Sequence, residues 1–577
     1  MYVTAVRATG YRNLNITVPL CKPLAVIVGE NNAGKSNVID ALRTVLEPEA
    51  GPRARCWLRE EDFAHDGYGT RIADELELEV HLSNLSKEEQ ARMVTCRAPQ
   101  AGEGAAKIRL KATLHPSGRV QTQWFGGDSQ HADAEGHARD AVRFVYLPPL
   151  RDAASDLRPG RDNKLVSLVS ALAPEGHADR DAIVAAAETA NDALDSISTI
   201  VSARTHVAQR LGSMTGGGRY AQESGLAFED PQFRRVVGAL RAKVGQLAAL
   251  EMDENGLGYN NLLYMAVLLA AIADAPADEE PTLRVLLVEE PEAHLHPQLQ
   301  DLLMRFLESE AVGPTQVVVT THSPSFASSA RVERLTVLAR PSAQAPPEAR
   351  LPRDFGLDTK QLAYLRRFLD VTKASLFFAR AVILVEGVAE QLLLPVIAER
   401  IGRPLAPNGV AVINIGGVAF PPFTDLFAED RLPYRLAVVS DSDGQPSGEE
   451  LEGELPALSP RAAALDERAG DNVRVCLAAR TLEWDLAMAG NTEVMLEALS
   501  QVKPVAGPAL RAEIAERSLE DQAQAILDKV SDVKGRFAQE LAERFADSAV
   551  ELKVPDYLRA AIEWVADEPA QEAVPAE

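Results

Sequence analysis

Two groups of residues in this 577-residue chain could do chemistry on phosphates, and they lie far apart. The first is Gly29-Glu30-Asn31-Asn32-Ala33-Gly34-Lys35-Ser36-Asn37, between an apolar run at 24–28 and a helical pattern. G-x-x-x-x-G-K-S in a strand–turn–helix context is a P-loop. Backbone N–H groups cradle phosphate oxygens, the lysine reaches the terminal phosphates and the serine hydroxyl ligates Mg²⁺. Gly29, Asn31, Asn32, Gly34, Lys35, Ser36 and Asn37 are thus the expected contacts of ATP and its magnesium. The second group is acidic. Glu386 stands where the apolar run 381–385 meets Gly387, and Glu390 follows one helical turn later. Asp441 and Asp443 close the run 435–440. Alternate residues of a strand project to one side, so these two aspartates can converge on one ion. Oxygen-only ligands suit Mg²⁺ or Mn²⁺ rather than zinc.

A third stretch joins the first. The apolar run 283–288 leads into Glu289-Glu290-Pro291-Glu292-Ala293-His294-Leu295-His296, and the run 315–319 leads into Thr320-Thr321-His322. An apolar strand ending in paired acids is a Walker B arrangement. Glu289 would hold the Mg²⁺ water shell and Glu290 would polarise the attacking water. With the P-loop upstream, this resembles the ABC-type ATPases of the SMC and RecF group. The resemblance implies that His322 senses the γ-phosphate and that 292–296 is a D-loop at a dimer interface. The candidate signature is Gly256-Leu257-Gly258-Tyr259-Asn260-Asn261, opening an apolar helix at 262–272. It lacks the serine of the family pattern, and Glu289 stands where that family usually has aspartate. Thr215-Gly216-Gly217-Gly218 fits the pattern better but lies too far upstream.

An apolar run closing in E-G, followed about fifty residues later by one closing in D-x-D-G, resembles the Toprim pattern of topoisomerases, primases, recombination mediators and a nuclease group. The tandem order resembles the OLD (overcoming lysogenization defect) family of nucleases. Thr481-Leu482-Glu483-Trp484-Asp485-Leu486 and the helical C-terminal part look like its class 2 members, which include the nuclease subunit of Gabija anti-phage systems. That resemblance implies Glu483 as a further metal ligand and Lys534 as the active-site lysine. One metal would draw on Asp441 and Asp443, the other on Glu386, Glu390 and Glu483. The implied activity is DNA cleavage or nicking, regulated by ATP on the head, in phage defence or repair. A topoisomerase-like breaker would instead need Tyr434 or Tyr557 as nucleophile. A non-catalytic ABC–Toprim clamp that recruits partners would need none of the acids.

The resemblance implies an α/β multidomain fold: an ABC-type ATPase head split by a helical dimerisation insert, then a Toprim domain and a helical C-terminal region. The expected boundaries are 1–150 for the N-terminal lobe, 151–245 for the insert and 246–345 for the C-terminal lobe. A proline-bearing linker at 346–378, Toprim at 379–505, helices at 506–566 and a disordered acidic tail at 567–577 follow. Residues 165–211 read as helical, with an apolar stripe of Ile183, Ala186, Ala190, Leu194, Ile197 and Val201 that seeks a partner. A homodimer or higher oligomer follows. DNA is the implied partner, and a helicase-like protein a second one by the class 2 resemblance. Arg12 sits where a basic residue could touch nucleotide or simply face water. The net charge of −25 opposes nucleic-acid binding unless cations gather at the acids. No run approaches the about 20 apolar residues of a membrane helix. Cys21, Cys56, Cys96 and Cys476 have no C-x-x-C spacing, which fits a cytoplasmic chain without zinc.

Overall fold

The computed structural model describes residues 1–46, 58–66, 69–129, 138, 141–149, 157–160, 163–216, 225–244, 250–251, 256–273, 283–341, 345–417, 419–442 and 458–566. Asp443, which was expected to bind metal, and the expected acidic tail at 567–577 lie outside them. The described residues of 1–146, 283–292 and 297–566 form one compact unit, and those of 147–273 and 293–296 a second. Among the described residues no helix is long and apolar enough to cross a membrane.

The first unit holds three sheets. Strands β1 (Tyr2–Tyr11), β2 (Leu14–Pro19), β4 (Glu75–Ser83), β5 (Ala106–Leu114) and β6 (Val120–Gly126) form an antiparallel sheet in the order β2-β1-β4-β5-β6. In β5, Ala106, Ile108, Leu110, Ala112 and Leu114 are buried and the residues between them are not, so one face meets a core. Strand β3 (Leu24–Gly29) belongs to a second sheet, with β7 (Val142–Leu147), β10 (Leu283–Glu289), β11 (Thr315–Thr320), β12 (Leu335–Ala339) and β13 (Glu348–Arg350). Its order is β13-β12-β3-β11-β10-β7. Every residue of β3 is buried, as expected of an inner parallel strand with both faces covered. The helix Lys35–Leu46 lays Val38, Ile39, Leu42 and Val45 into the same core.

The third sheet is fully parallel: β14 (Ala381–Val385), β15 (Val410–Asn414), β16 (Arg435–Ser440) and β17 (Val473–Leu477), in the order β15-β14-β16-β17. The chain leaves β14 to one side and returns as β16 on the other. The carboxyl ends of β14 and β16 therefore flank a topological switch point, where open α/β sheets place their ligands. The helices of 506–566 share this sheet's core: Ile383 and Val385 pack in one cluster with Phe537, Leu541, Phe545 and Ile562.

The stretch 346–378 is not the linker its prolines suggest. Glu348–Arg350 pairs antiparallel with β12, the helix Thr359–Phe368 begins in an Asp358 capping box, and Leu351, Leu365 and Leu369 are buried. Pro346 and Pro347 precede an edge strand, where a missing N–H leaves no ladder bond unmade.

In the second unit the expected continuous helix is three: Lys164–Leu172, Ala178–Asp195 and Ser198–Thr215. Pro174 and left-handed Gly176 break it first, and Ile197 in an extended conformation breaks it again. Ile183 and Val184 pack on a small core of Val166, Ala173, Phe233 and Val237. Leu194, Ile197 and Val201 are 41–46% exposed. The short strands β8 (Lys243–Val244) and β9 (Leu250–Glu251) pair antiparallel.

Because Phe545 is fully buried in the core of the third sheet, Phe545→Ala should lower the stability of that region by about 3–5 kcal/mol. Urea unfolding measures this, and an unchanged midpoint would mean that the C-terminal helices fold independently.

Candidate nucleotide site and candidate metal-carboxylate site

The P-loop leaves β3 at Gly29, where a Cβ would lie 2.1 Å from the Leu338 carbonyl oxygen of the neighbouring strand. Only glycine fits there, and Asn32 and Gly34 turn the loop in left-handed conformations. Lys35 is almost wholly buried, with Nζ donating to the carbonyls of Gly29 and Glu30 at 2.7 Å each. Burial pushes its ammonium down to about 8, against the pull of Glu290, Glu30 and Glu292. A bound polyphosphate would offer it stronger acceptors than carbonyls. Asn31, Asn32, Gly34, Ser36, Asn37 and His322 all line the same cavity, of about 730 Å³.

Arg12 also lines this cavity and is not a free surface arginine. Its guanidinium donates to Asp62 at 2.9 Å, Asn37 at 2.8 Å and Asp40 at 2.7 Å, while Asn37 Nδ2 donates to Asn13 Oδ1 at 2.7 Å. Asn13 and His65 belong to the lining too. No motif marked them, since they reach the P-loop only when β1–β2 and 60–66 fold beside it.

The Walker B acids part company. Glu289 ends β10 facing inward, bonded by Ser36 and accepting the Tyr146 hydroxyl at 2.8 Å. Burial raises its pKa. Glu290 adopts a left-handed conformation and meets His322 Nε2 at 3.3 Å. Burial, and then the Lys35 charge, lower the His322 pKa and favour the neutral ring. Glu292, read in sequence as part of a D-loop, fixes the residues around the histidine: its Oε1 accepts the Thr321 hydroxyl at 2.5 Å and the His322 N–H at 3.0 Å. In the second unit, the signature-like residues 257–261 already lie inside the helix Leu257–Ala273, which starts earlier than expected. A Cβ on Gly258 would meet the His294 carbonyl oxygen at 2.6 Å, so that glycine serves close packing on 293–296.

The ladder of the third sheet pairs Val385 with Val439, which sets Glu386 beside Ser440 and Asp441. Glu386 Oε1 accepts the Ser440 hydroxyl, the Asp441 N–H at 3.2 Å and Arg461 Nη1 at 3.1 Å, and Arg461 Nη2 donates to the Asp441 carbonyl at 3.1 Å. Glu390 stands one turn into the helix Val388–Arg400. Glu483, on the short helix Leu482–Leu486, meets Lys534 Nζ at 3.4 Å. Asp441 Oδ1 accepts the Leu482 N–H at 3.1 Å. Glu386, Glu390, Asp441, Glu483 and Lys534 are thus brought together. Arg461 was missed in sequence, because nothing in its local pattern distinguishes it from a surface arginine.

Burial, then Glu390, Glu386 and Glu483, push the Asp441 carboxyl up to about 8, with Lys534 opposing. Burial and the same neighbours raise Glu390. Burial works against the Lys534 ammonium, but Glu483 and Asp441 outweigh it and hold its pKa above the ordinary value. Among the described residues no three donors stand in metal-ligating geometry. What fits a divalent ion is the donor chemistry: four carboxylates, mostly buried, that repel one another until a cation joins them.

Tyr434 and Tyr557 do not suit a nucleophile. Both hydroxyls are enclosed without a hydrogen-bond partner, and burial drives both pKa values up.

The AAA ATPase domain family matches residues 173–327, which include the Walker B acids and His322. The "Overcoming lysogenization defect protein-like, TOPRIM domain" family matches 377–443, which include Glu386, Glu390 and Asp441. The OLD nuclease of Thermus scotoductus is 25% identical over 81% of this chain and 86% of its own. The chain is a homologue of the OLD nucleases. Endonuclease GajA of Bacillus cereus is 24% identical over 34% of this chain and 32% of its own. The solved C-terminal region of the Xanthomonas campestris pv. campestris OLD protein is 27% identical, covering 33% of this chain and 95% of its own, with a TM-score of 0.26. Glu483 and Lys534 of this OLD homologue lie beyond the matched Toprim segment.

In EDTA, Asp441 binds its proton up to about pH 8 in the folded chain, against an ordinary value of 3.8. The folded state then holds more protons than the unfolded one across that window, so stability should fall as pH rises from about 4 to 8. Mn²⁺ at pH 8 should restore it. Thermal unfolding with and without Mn²⁺ checks this, and Asp441→Asn should flatten the pH slope and lose the Mn²⁺ gain.

Proposed function

We propose that this OLD homologue is a metal-dependent DNA endonuclease or nickase whose Toprim carboxylates cut phosphodiesters under control of nucleotide on the ATPase head. The observation that carries this is the convergence of Glu386, Glu390, Asp441 and Glu483 with Lys534 at the carboxyl edge of a parallel sheet. When bound, two Mg²⁺ or Mn²⁺ ions supply an activated water and neutralise charge on the leaving oxygen. Asp441 and Asp443 would hold one ion, and Glu386, Glu390 and Glu483 the other. Ser440 and Arg461 keep Glu386 aimed at its neighbours. Lys534 places its ammonium to donate to a non-bridging phosphate oxygen as charge builds there. A clamp that only binds DNA has no need of four converging acids, of which Glu390 and Glu483 are buried.

On the head, Lys35 and the P-loop N–H groups would take the phosphates, and Ser36 and Glu289 the magnesium with its water shell. Glu290, the expected base for water attack, would share the γ-phosphate with His322. One contact suits regulation: Arg380 Nε donates to Glu30 Oε2 at 2.9 Å. Glu30 follows Gly29 in the P-loop, and Arg380 immediately precedes β14, which Glu386 directly follows. Polyphosphate seated on the loop would shift the same strand that carries a metal ligand. The exposed apolar faces at Leu194, Ile197 and Val201 suit a homodimer, and the chain is read as cytoplasmic, acting in phage defence or repair. A helicase-like partner belongs to the same reading.

Supercoiled plasmid with Mn²⁺ tests the reading. Asp441→Asn and Lys534→Ala should each slow cleavage at least about 100-fold while DNA binding by gel shift persists. Retained cleavage in both would leave the clamp as the better reading. Arg380→Ala should keep metal-dependent cleavage but remove most of its response to ATP, whichever sign that response has. An undiminished ATP effect would place the coupling elsewhere.

A further inference from the structure

Tyr146 belongs to neither the P-loop nor the Walker B motif, yet it is bonded to the acid that closes β10. It stands near the end of β7, the strand next to β10 in the second sheet, and Glu289 is the last residue of β10. The Tyr146 hydroxyl donates to Glu289 Oε1 at 2.8 Å. Glu289 is 3% exposed and also accepts the hydroxyl of Ser36, which is exposed and lines the cavity of about 730 Å³. Two hydrogen bonds in series therefore run from the half-buried Tyr146, through the buried carboxylate, to the serine that faces the phosphates.

The tyrosine ring is itself held. The Arg43 guanidinium lies 3.8 Å from its centroid, and Arg43 Nη1 donates to Asp40 Oδ1 at 3.1 Å. Asp40 Oδ2 accepts Arg12 Nη1 at 2.7 Å, and Arg12 lines the cavity. Ser36 and Arg43 lie two turns apart on one face of the helix Lys35–Leu46. The helix that presents the serine to the cavity thus also clamps the ring behind Glu289. A serine hydroxyl has one proton and two lone pairs, so its oxygen can face a cation while the proton goes to a carboxylate behind it. A glutamate side chain loses rotamer freedom when it is held in one place, and a second donor on the same carboxylate offsets that loss.

We infer that Tyr146 is a positioning residue of the nucleotide site: by fixing the Glu289 carboxylate it aims the Ser36 oxygen at magnesium, and so sets how far Mg²⁺ tightens the binding of ATP. The inference rests on the reading of the P-loop as an ATP site. Lys35 and the P-loop N–H groups meet phosphate without help from Tyr146, so the affinity for metal-free ATP is independent of its hydroxyl. The hydroxyl acts only through the metal-dependent part of binding.

The test measures ATP binding to the full chain by calorimetry, once in EDTA and once in Mg²⁺. Wild type should bind ATP more tightly in Mg²⁺. Tyr146→Phe keeps the ring beneath Arg43 and removes only the hydroxyl. It should stay within about twofold of wild type in EDTA and bind about tenfold more weakly in Mg²⁺, the scale of one hydrogen bond to a charged group. Glu289→Gln should by itself lose most of the Mg²⁺ gain. Adding Tyr146→Phe to Glu289→Gln should then cost less than about threefold more, because the two side chains act through one contact. An equal loss in EDTA and in Mg²⁺, no loss in either, or full additivity in the double variant overturns the positioning role while leaving nucleotide binding intact. Failure of wild type to bind ATP in both conditions overturns the nucleotide reading and the positioning role with it.

Discussion

The interaction on which the Toprim region depends is repulsion between carboxylates held out of water. The ladder between β14 and β16 fixes Glu386 next to Asp441, and the two short helical turns that follow β14 and β17 bring Glu390 and Glu483 up to them. No local preference favours this. A buried acid beside other buried acids raises the cost of each charge, and the pKa of Asp441 registers that cost. The fold places the cluster above β14, which is wholly apolar and buried along its length.

Partial relief comes from cations that are distant in sequence. Lys534 arrives on a helix that packs on Val388–Arg400, and Arg461 from the segment before β17. Neither neutralises the site. The chain's net charge of −25 does not by itself exclude a polyanionic ligand. Attraction for a polyanion need not come from a basic surface if divalent ions gather at the acids that create the deficit.

The nucleotide site follows a related rule with the opposite sign. Lys35 is buried with only backbone carbonyls for acceptors, and His322 is kept short of charge by burial and by Lys35 itself. The Arg380–Glu30 ion pair links that loop to the start of β14.

Local patterns were sufficient for the strands and for the motifs at their ends, because an apolar run, a glycine turn and a polar ligand are encoded within about ten residues. That is why Gly29, Lys35, Ser36, Glu289, Glu386 and Asp441 could be named before any fold was known. The same patterns misjudged 346–378, where proline composition hid an edge strand, and 165–211, where apolar spacing hid two helix breaks. Arg461, Tyr146, Asn13 and the bonding of Glu292 to His322 were illegible for a different reason. Each is an ordinary residue locally, and it gains a role only from a neighbour tens or hundreds of residues away. Sequence by itself determined which chemistry the chain carries, since that is set by residue type and short spacing. Tertiary structure decided which groups share one electrostatic field, because burial and proximity are properties of packing rather than of the chain.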